Sequence, residues 1–415
     1  MNFARINVWV GGVAVALIAL VAIWFFIFRS PSPTSPPSTG SFGAANSNST
    51  SVTSNTSSAG ANGTQPVNVA QQTSQQKIFE IAQGPVVGAT FIQTLHPTTT
   101  LARYIMQENG HVYDLPLDVA GAIPRVVSNV TIPGGMRALW AEQGNAAIMQ
   151  YLDGSTVKTV YMGFPAATTT GGATLPTKIQ FLPNNIEDIA VSPDGKSVAY
   201  LLTTASGADG YVAKTNGTAA TKLFSLPLAQ LLLSWPAQGT LLAQTKSAAG
   251  APGIVFSIDA KTGAATPLIY AQGITAVADK AFSEIVYQTI QEGAALRATY
   301  LHNVKTGVNV ALSFDPFPEK CTWSVLNPSE LYCAMPLSYV AQNYLDLWHQ
   351  GASSVADSLV SFDTTTGKTT IIATPGGRDG GSQSDMYQLS LAPDEHYVSF
   401  TTKGDRALWG VRLSQ

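Results

Sequence analysis

The sequence predicts an all-β fold, a seven-bladed β-propeller, for the larger part of this 415-residue chain. A repeat length and two recurrent turns support this. Weakly similar segments follow one another over 77–415, and their period of about 40 to 55 residues is typical of propellers. The runs between the turns alternate apolar and polar residues or are apolar throughout, which is the pattern of β-strands.

The two turns recur at corresponding places in the segments. The first separates a first and a second strand and lies at 193–196, 237–240, 327–330 and 393–396. The second is a Thr-Gly turn between two later strands, and it ends at Gly263, Gly307 and Gly367. Pro fixes φ, Asp binds its own backbone and Gly accepts positive φ, so these residue types close short turns.

The turns divide the chain into blades, predicted at 85–131, 136–182, 186–226, 229–270, 274–314, 319–374 and from 386 onward. The last segment has three strands before Gln415, whereas a propeller blade usually has four. The run KIFEIA at 77–82 is not needed by blade 1. We therefore expect it to be the fourth strand of blade 7, which would close the ring and protect an open sheet edge.

The SPDGK turn at 192–196, with the apolar strand after it, resembles the repeats of TolB-like propellers, the PD40 or WD40-like family. Residues 392–400 resemble them less closely, as do residues 323–334. The resemblance covers about four of the seven blades. It implies a bacterial propeller outside the cytoplasm that works through protein contacts.

Residues 8–28 form an uninterrupted apolar stretch without a charged residue. As a helix it would be about 31 Å long, enough to cross a bilayer once. It ends in aromatic residues and Arg29 instead of a small-residue cleavage site, which favours an uncleaved signal anchor. The sequence thus predicts an N-terminal anchor at 1–29 in the cytoplasmic (inner) membrane, with the propeller at 77–415 outside.

Residues 30–76 contain no Asp, Glu, Lys or Arg and are rich in Ser, Thr, Asn, Gly and Pro. Such a segment buries too little apolar surface to fold, so we predict a disordered linker. Charged residues make up only 11% of the whole chain, with a net charge of −3. The absence of a basic run excludes nucleic acid as an expected partner, and we expect the propeller to be monomeric.

The two cysteines, Cys321 and Cys333, should lie on neighbouring strands of blade 6. An even pair on one hairpin favours a disulfide in an oxidising compartment. With a four-residue turn, however, Cys333 would face Ser324 and Cys321 would face Pro336, so a bridge would need a bulge or a different turn. The sequence leaves open a disulfide and two buried thiols; without a nearby His pair it does not predict a metal site.

Blade 6 also contains an insertion at 337–354, because Gly307 and Gly367 lie 60 residues apart against 44 between Gly263 and Gly307. The insertion should emerge beside the segments 316–320 and 376–385. Long loops on rigid scaffolds often carry binding residues. Its candidate binding residues are Tyr344, Asp346, Trp348 and His349. Alternatively, its aromatic residues pack down and cap the central channel.

No catalytic residues, metal ligands or cofactor site are predicted. The chain has no G-x-S-x-G or H-E-x-x-H motif, and its five His residues lie in different segments. Four carboxylates near blade entrances could line the channel, although solvated loop carboxylates are the ordinary interpretation: Asp188, Asp279, Glu319 and Asp385. The predicted function is a membrane-tethered scaffold that binds envelope proteins. The alternative is an enzyme acting on envelope glycan or peptide, with a site assembled from several blades.

Overall fold

The computed structural model describes residues 76–95, 98–164, 177–290, 297–341, 343–377 and 379–413. Within these ranges the chain forms seven antiparallel sheets of four strands each. Neighbouring sheets pack face to face, and the seventh packs against the first. The predicted seven-bladed propeller is confirmed.

Blade 1 contains β2 (Val86–Leu95), β3 (Thr98–Met106), β4 (Val112–Pro116) and β5 (Arg125–Ser128). Blade 2 contains β6 (Gly135–Ala141), β7 (Ala146–Asp153), β8 (Thr156–Gly163) and β9 (Lys178–Phe181). Blade 3 contains β10 (Ile186–Val191), β11 (Ser197–Thr204), β12 (Gly207–Lys214) and β13 (Thr221–Leu226). Blade 4 contains β14 (Leu231–Ala237), β15 (Thr240–Thr245), β16 (Pro252–Asp259) and β17 (Ala265–Gln272). Blade 5 contains β18 (Thr275–Ala278), β19 (Glu284–Ile290), β20 (Arg297–Asn303) and β21 (Asn309–Leu312). Blade 6 contains β22 (Cys321–Trp323), β23 (Glu330–Pro336), β24 (Asp357–Asp363) and β25 (Thr369–Ala373). Blade 7 contains β26 (Met386–Leu391), β27 (Tyr397–Thr402), β28 (Leu408–Arg412) and, from the start of the propeller sequence, β1 (Ile78–Ala82).

The outermost strand of blade 7 comes from the start of the propeller sequence. Strand β1 pairs antiparallel with β28, so that Ile78 lies opposite Val411 and Phe79 opposite Gly410. The run expected to complete blade 7 therefore does so. Because one sheet joins both ends of the propeller sequence, backbone hydrogen bonds hold the ring closed.

The apolar core lies between the blades. Seven buried clusters each combine side chains of two neighbouring blades and so cover all seven interfaces. Between blades 7 and 1, the Tyr397 ring lies 6.1 Å from Phe79 and 6.4 Å from Phe91, measured between ring centroids. Each fully buried large side chain contributes about 1.5–3 kcal/mol. The ring is thus stabilised chiefly by packing between blades.

Both predicted turns join the expected strands, and one occurrence of each turn has a glycine that no other residue could replace. Gly195 has φ +70°, and a Cβ there would lie 2.6 Å from the Glu142 backbone nitrogen. Gly263 has φ +75°, and its Cβ would lie 1.9 Å from the Leu223 carbonyl oxygen. Only glycine accepts both the positive φ and the close approach of the neighbouring blade.

The predicted register of the first hairpin in blade 6 is wrong. Cys321 lies directly opposite Cys333, and Trp323 lies opposite Leu331. The reason is that β22 ends at Trp323 and β23 begins at Glu330, so the connection is longer than the four-residue turn assumed from the sequence. This register brings the two Cα atoms within 4.1 Å, and the Sγ atoms form a disulfide.

The two ends of the ring differ. One end carries the blade-to-blade connections and the loops between second and third strands, and we call it the cap end. The other carries the turns between first and second strands, and we call it the mouth end. At the mouth end, the Arg412 N–H donates to the Lys77 carbonyl and the Leu413 N–H to the His396 carbonyl. Both termini of the propeller therefore lie there.

None of the helices in the described ranges is long and apolar enough to cross a membrane. The predicted span at 8–28 lies outside those ranges, as does the predicted linker apart from its last residue.

Candidate functional site

The blade 6 insertion forms a short helix, α1 (Tyr344–His349), at the cap end. Its base is closed where the Leu337 N–H donates to the Ala356 carbonyl at 2.8 Å. Five of the residues around it are buried together as an apolar cluster: Phe317, Val340, Tyr344, Leu345 and Trp348. The helix therefore packs down onto the ring.

Beneath α1 lies a buried group of charges from three separate segments. The Lys320 Nζ atom lies 2.7 Å from Asp357 Oδ2 and 2.7 Å from Asp385 Oδ1, and no more than 1% of any of these side chains is exposed. The Trp348 Nε1–H donates to Asp385 Oδ2 at 2.9 Å. Burial raises the pKa of Asp357 to about 6, although the Lys320 ammonium opposes this shift. The expected proximity of the insertion to 316–320 and 376–385 is thus realised through Lys320 and Asp385.

The two polar candidates on α1 have different partners. Asp346 accepts a hydrogen bond from the Ala249 N–H of blade 4, at 3.1 Å to each carboxylate oxygen. The His349 Nε2 atom lies 2.9 Å from Glu319 Oε2. These contacts tie the insertion to blade 4 and to the entrance of blade 6.

The aromatic candidates occupy interior positions. Tyr344 is 2% exposed and Trp348 is 7% exposed, so both side chains pack against the propeller and present little surface to solvent. Lys403 of blade 7 adds to this packing, since its Nζ atom lies 3.3 Å from the centre of the Trp348 ring. Of the insertion's aromatic residues, Tyr339 remains open to solvent at 83% exposure.

Sequence reasoning missed the roles of Lys320 and Lys403. Neither belongs to a motif, and the charges that Lys320 neutralises lie 37 and 65 positions away. The one signal in the sequence was the position of Lys320 beside the insertion. A buried lysine must be paired, and only the fold shows with which residues.

The other carboxylates predicted at blade entrances are also engaged. Asp188 forms an ion pair with Arg137 and accepts the Leu233 N–H. Asp279 accepts the Ser283 N–H at 2.7 Å and so closes the turn after β18. These contacts stabilise the structure, which agrees with the ordinary interpretation of these residues.

A large recess opens at the mouth end of the ring. It has a volume of about 1170 Å³, and all seven blades contribute to its wall through their first strands or first turns. The residues that define its character are Leu95, Trp140, Trp235, Lys280 and Val325. It therefore lies on the axis of the propeller. We call it the mouth.

The rim of the mouth exposes apolar side chains on a fixed backbone. Leu95 is 76% exposed and Val325 is 62% exposed. Glu395 of blade 7 holds the blade 6 part of the rim, because its carboxylate accepts hydrogen bonds from the Ser324 hydroxyl and from the Val325 N–H. This loop is therefore held in place with Val325 directed away from the core.

The charged residues that line the mouth are Asp194 and Lys280. Asp194 is engaged by its own turn, where it accepts the Ser192 hydroxyl at 2.6 Å and the Lys196 N–H at 3.1 Å, and these bonds lower its pKa. The surface of Lys280 is accessible to water. The walls of the mouth nevertheless surround it, and this partial loss of solvation lowers the pKa of its ammonium group.

Across the described part of the chain, no group of three or more His, Cys, Asp or Glu side chains is placed to hold a metal ion. The site that emerges from the geometry is a recess suited to apolar and anionic groups.

No protein-family model matches the chain, and no curated protein matches it in sequence. Solved structures do match it in fold. An oligogalacturonate lyase in complex with manganese is 12% identical, covers 81% of this chain and 99% of its own, and has a TM-score of 0.50.

Two further structures match with lower scores. The β-propeller domain of the Trilobed protease from Pyrococcus furiosus is 9% identical, with 81% of this chain and 97% of that one covered and a TM-score of 0.49. TolB from Acinetobacter baumannii is 10% identical, with 80% and 64% covered and a TM-score of 0.39. Likeness at these identities shows the fold alone. The chain is a β-propeller, as its TolB-like turns predicted.

Proposed function

We propose that this protein is a membrane-tethered, extracytoplasmic scaffold that binds a segment of an envelope protein in its mouth. The observation that carries the proposal is the contrast between the two ends of the ring. At the cap end, aromatic and charged side chains are buried against one another. At the mouth end, side chains from all seven blades surround a recess that is open to solvent, and apolar side chains are exposed at its rim.

The size and lining of the mouth suit a polypeptide. Its volume of about 1170 Å³ exceeds the 300–1,000 Å³ usual for small-molecule pockets. Exposed apolar side chains grouped around a cavity are typical of interaction sites. The ring supports them rigidly, so that binding costs little ordering of the scaffold.

Photo-crosslinking in intact cells tests this proposal. A photoreactive amino acid replaces Leu95 or Val325 at the rim, and Val310 serves as a matched control because it is 54% exposed on the outermost strand of blade 5. We expect discrete protein adducts from the two rim positions and none from Val310. Equal labelling from all three positions, or no adduct from the rim, would refute the proposal.

The membrane tether rests on the apolar stretch at 8–28, and a separate experiment tests it. Protease added to intact spheroplasts should release the propeller by cutting the linker. If the propeller resists protease until the membrane is lysed, the proposed orientation is wrong.

A further inference from the structure

We infer that the mouth binds the C-terminal end of an apolar polypeptide, with the terminal carboxylate held by Lys280. This inference rests on the proposed function and adds the chemistry of the partner segment. It is carried by a cation on the wall of the mouth that has no partner among the described residues.

Within the described part of the chain, the Lys280 ammonium has neither a hydrogen bond nor an ion pair. Its sequence neighbour Asp279 does not neutralise it, because that carboxylate binds the Ser283 hydroxyl and N–H and the Glu284 N–H of the same turn. Asp194 is likewise engaged by Ser192 and Lys196. The positive charge in the mouth is therefore available to an anion from outside.

The surroundings of Lys280 favour a ligand with a single charge. Trp235, Pro236 and Val325 line the same recess, as do the uncharged polar residues Gln93, Gln143 and Asn145. A ligand with several charges would leave most of them without a partner, which is costly inside a protein cavity. One negative charge on an otherwise apolar chain matches this lining.

A chain end fits better than an acidic residue within a chain. An internal residue would bring polypeptide into the recess on both sides of its carboxylate, and every added peptide group would need a hydrogen-bond partner there. A terminus enters as a single strand. Capture of a terminal carboxylate is also an established mode of peptide recognition.

The test uses full-length protein in lipid nanodiscs and fluorescent hexapeptide pools randomised over Ala, Val, Leu, Pro and Phe. One pool has a free C-terminal carboxylate, a second is amidated, and a third is amidated with one internal Glu. Fluorescence anisotropy gives the affinities. We expect the first pool to bind at least about tenfold more tightly than the other two, as a charge-assisted hydrogen bond implies.

Lys280→Gln should abolish this preference, and Lys280→Arg should retain it. Lys305→Gln is the matched control, since Lys305 is exposed in the outer turn of the same blade at the same end of the ring. Equal binding of the first and second pools, equal binding of the first and third, or a preference that survives Lys280→Gln would overturn the inference. If the first two pools bind equally, the mouth still accepts peptide and the proposed function stands. If no pool binds, the inference fails, and crosslinking from the rim decides the proposed function separately.

Discussion

At the cap end, Trp348 of α1 is buried against the ring and only 7% exposed, whereas at the mouth end Leu95 is 76% exposed at the rim of an open recess. Lysines differ in the same way, since Lys320 has two carboxylate partners and Lys280 has none among the described residues. The difference teaches that dense aromatic residues in a loop do not by themselves indicate a binding surface. Large side chains on an insertion can serve to cover the scaffold, whereas the proposed binding surface is assembled from first strands and first turns of all seven blades.

The largest effect should follow from removing the cation at the cap end. Lys320→Ala leaves Asp357 and Asp385 buried without their counter-ion. Loss of one partner of a buried ion pair costs about 3–5 kcal/mol. Urea denaturation of the full-length protein should show a loss of that size, and Lys305→Ala, at an exposed turn, should show almost none. Similar stability of the two variants would mean that the buried charges are not coupled as described.

The next largest loss of stability is expected at an aromatic residue of the insertion, and a second aromatic residue serves for comparison. Trp348→Ala removes a buried ring together with its contacts to Asp385 and Lys403. We expect a loss of about 3 kcal/mol, at the low end for such substitutions because a short insertion can collapse locally. Tyr339→Ala, at an exposed ring, should stay within about 0.5 kcal/mol. Thermal unfolding measures both.

The Trp348 experiment also decides between the two interpretations of the insertion. If Trp348→Ala leaves the melting temperature unchanged but abolishes a partner interaction, the ring is an anchor for recognition. A lower melting temperature with the partner retained supports the cap.

Titration of Asp357 at the cap end should make the stability of the protein depend on pH. Burial raises its pKa from 3.8 to about 6, so the folded state holds this proton more tightly than the unfolded state. The contribution to stability is therefore present at low pH and is lost as the pH rises through about 6. Between pH 5 and pH 7 the loss should be about 1 kcal/mol. The groups that face this carboxyl are Lys320, Asp385 and Tyr344.

The pH prediction is checked as a difference between two proteins. Wild type should lose more stability than Asp357→Asn between pH 5 and pH 7 in urea denaturation. Parallel pH profiles would show that Asp357 does not titrate in this range.

The fold was predictable because propeller turns depend on local chemistry. Asp and Gly residues such as those at 194–195 and 259–263 favour short turns in any surroundings, and the spacing of these turns along the chain gives the number of blades. The disulfide register was not predictable, since it depends on where β22 ends, and nothing local fixes that end. The mouth could not be predicted from the sequence for another reason. Leu95, Trp235, Lys280 and Val325 come from four blades, and only closure of the ring brings them together.

The smallest change in stability should come with the largest change in binding, at the rim of the mouth. Leu95→Ser and Val325→Ser alter exposed side chains, so the free energy of unfolding should stay within about 0.5 kcal/mol of wild type. Loss of apolar contact at a binding site should weaken binding of the carboxylate peptide pool about tenfold. Val310→Ser, an equivalent change on the outermost strand of blade 5, should alter neither quantity. If Val310→Ser weakens binding as much as the rim variants, apolar exposure anywhere on the ring is sufficient and the two ends do not differ in function. If the rim variants unfold more easily and Val310→Ser does not, the rim belongs to the core, and the contrast between cap and mouth is wrong.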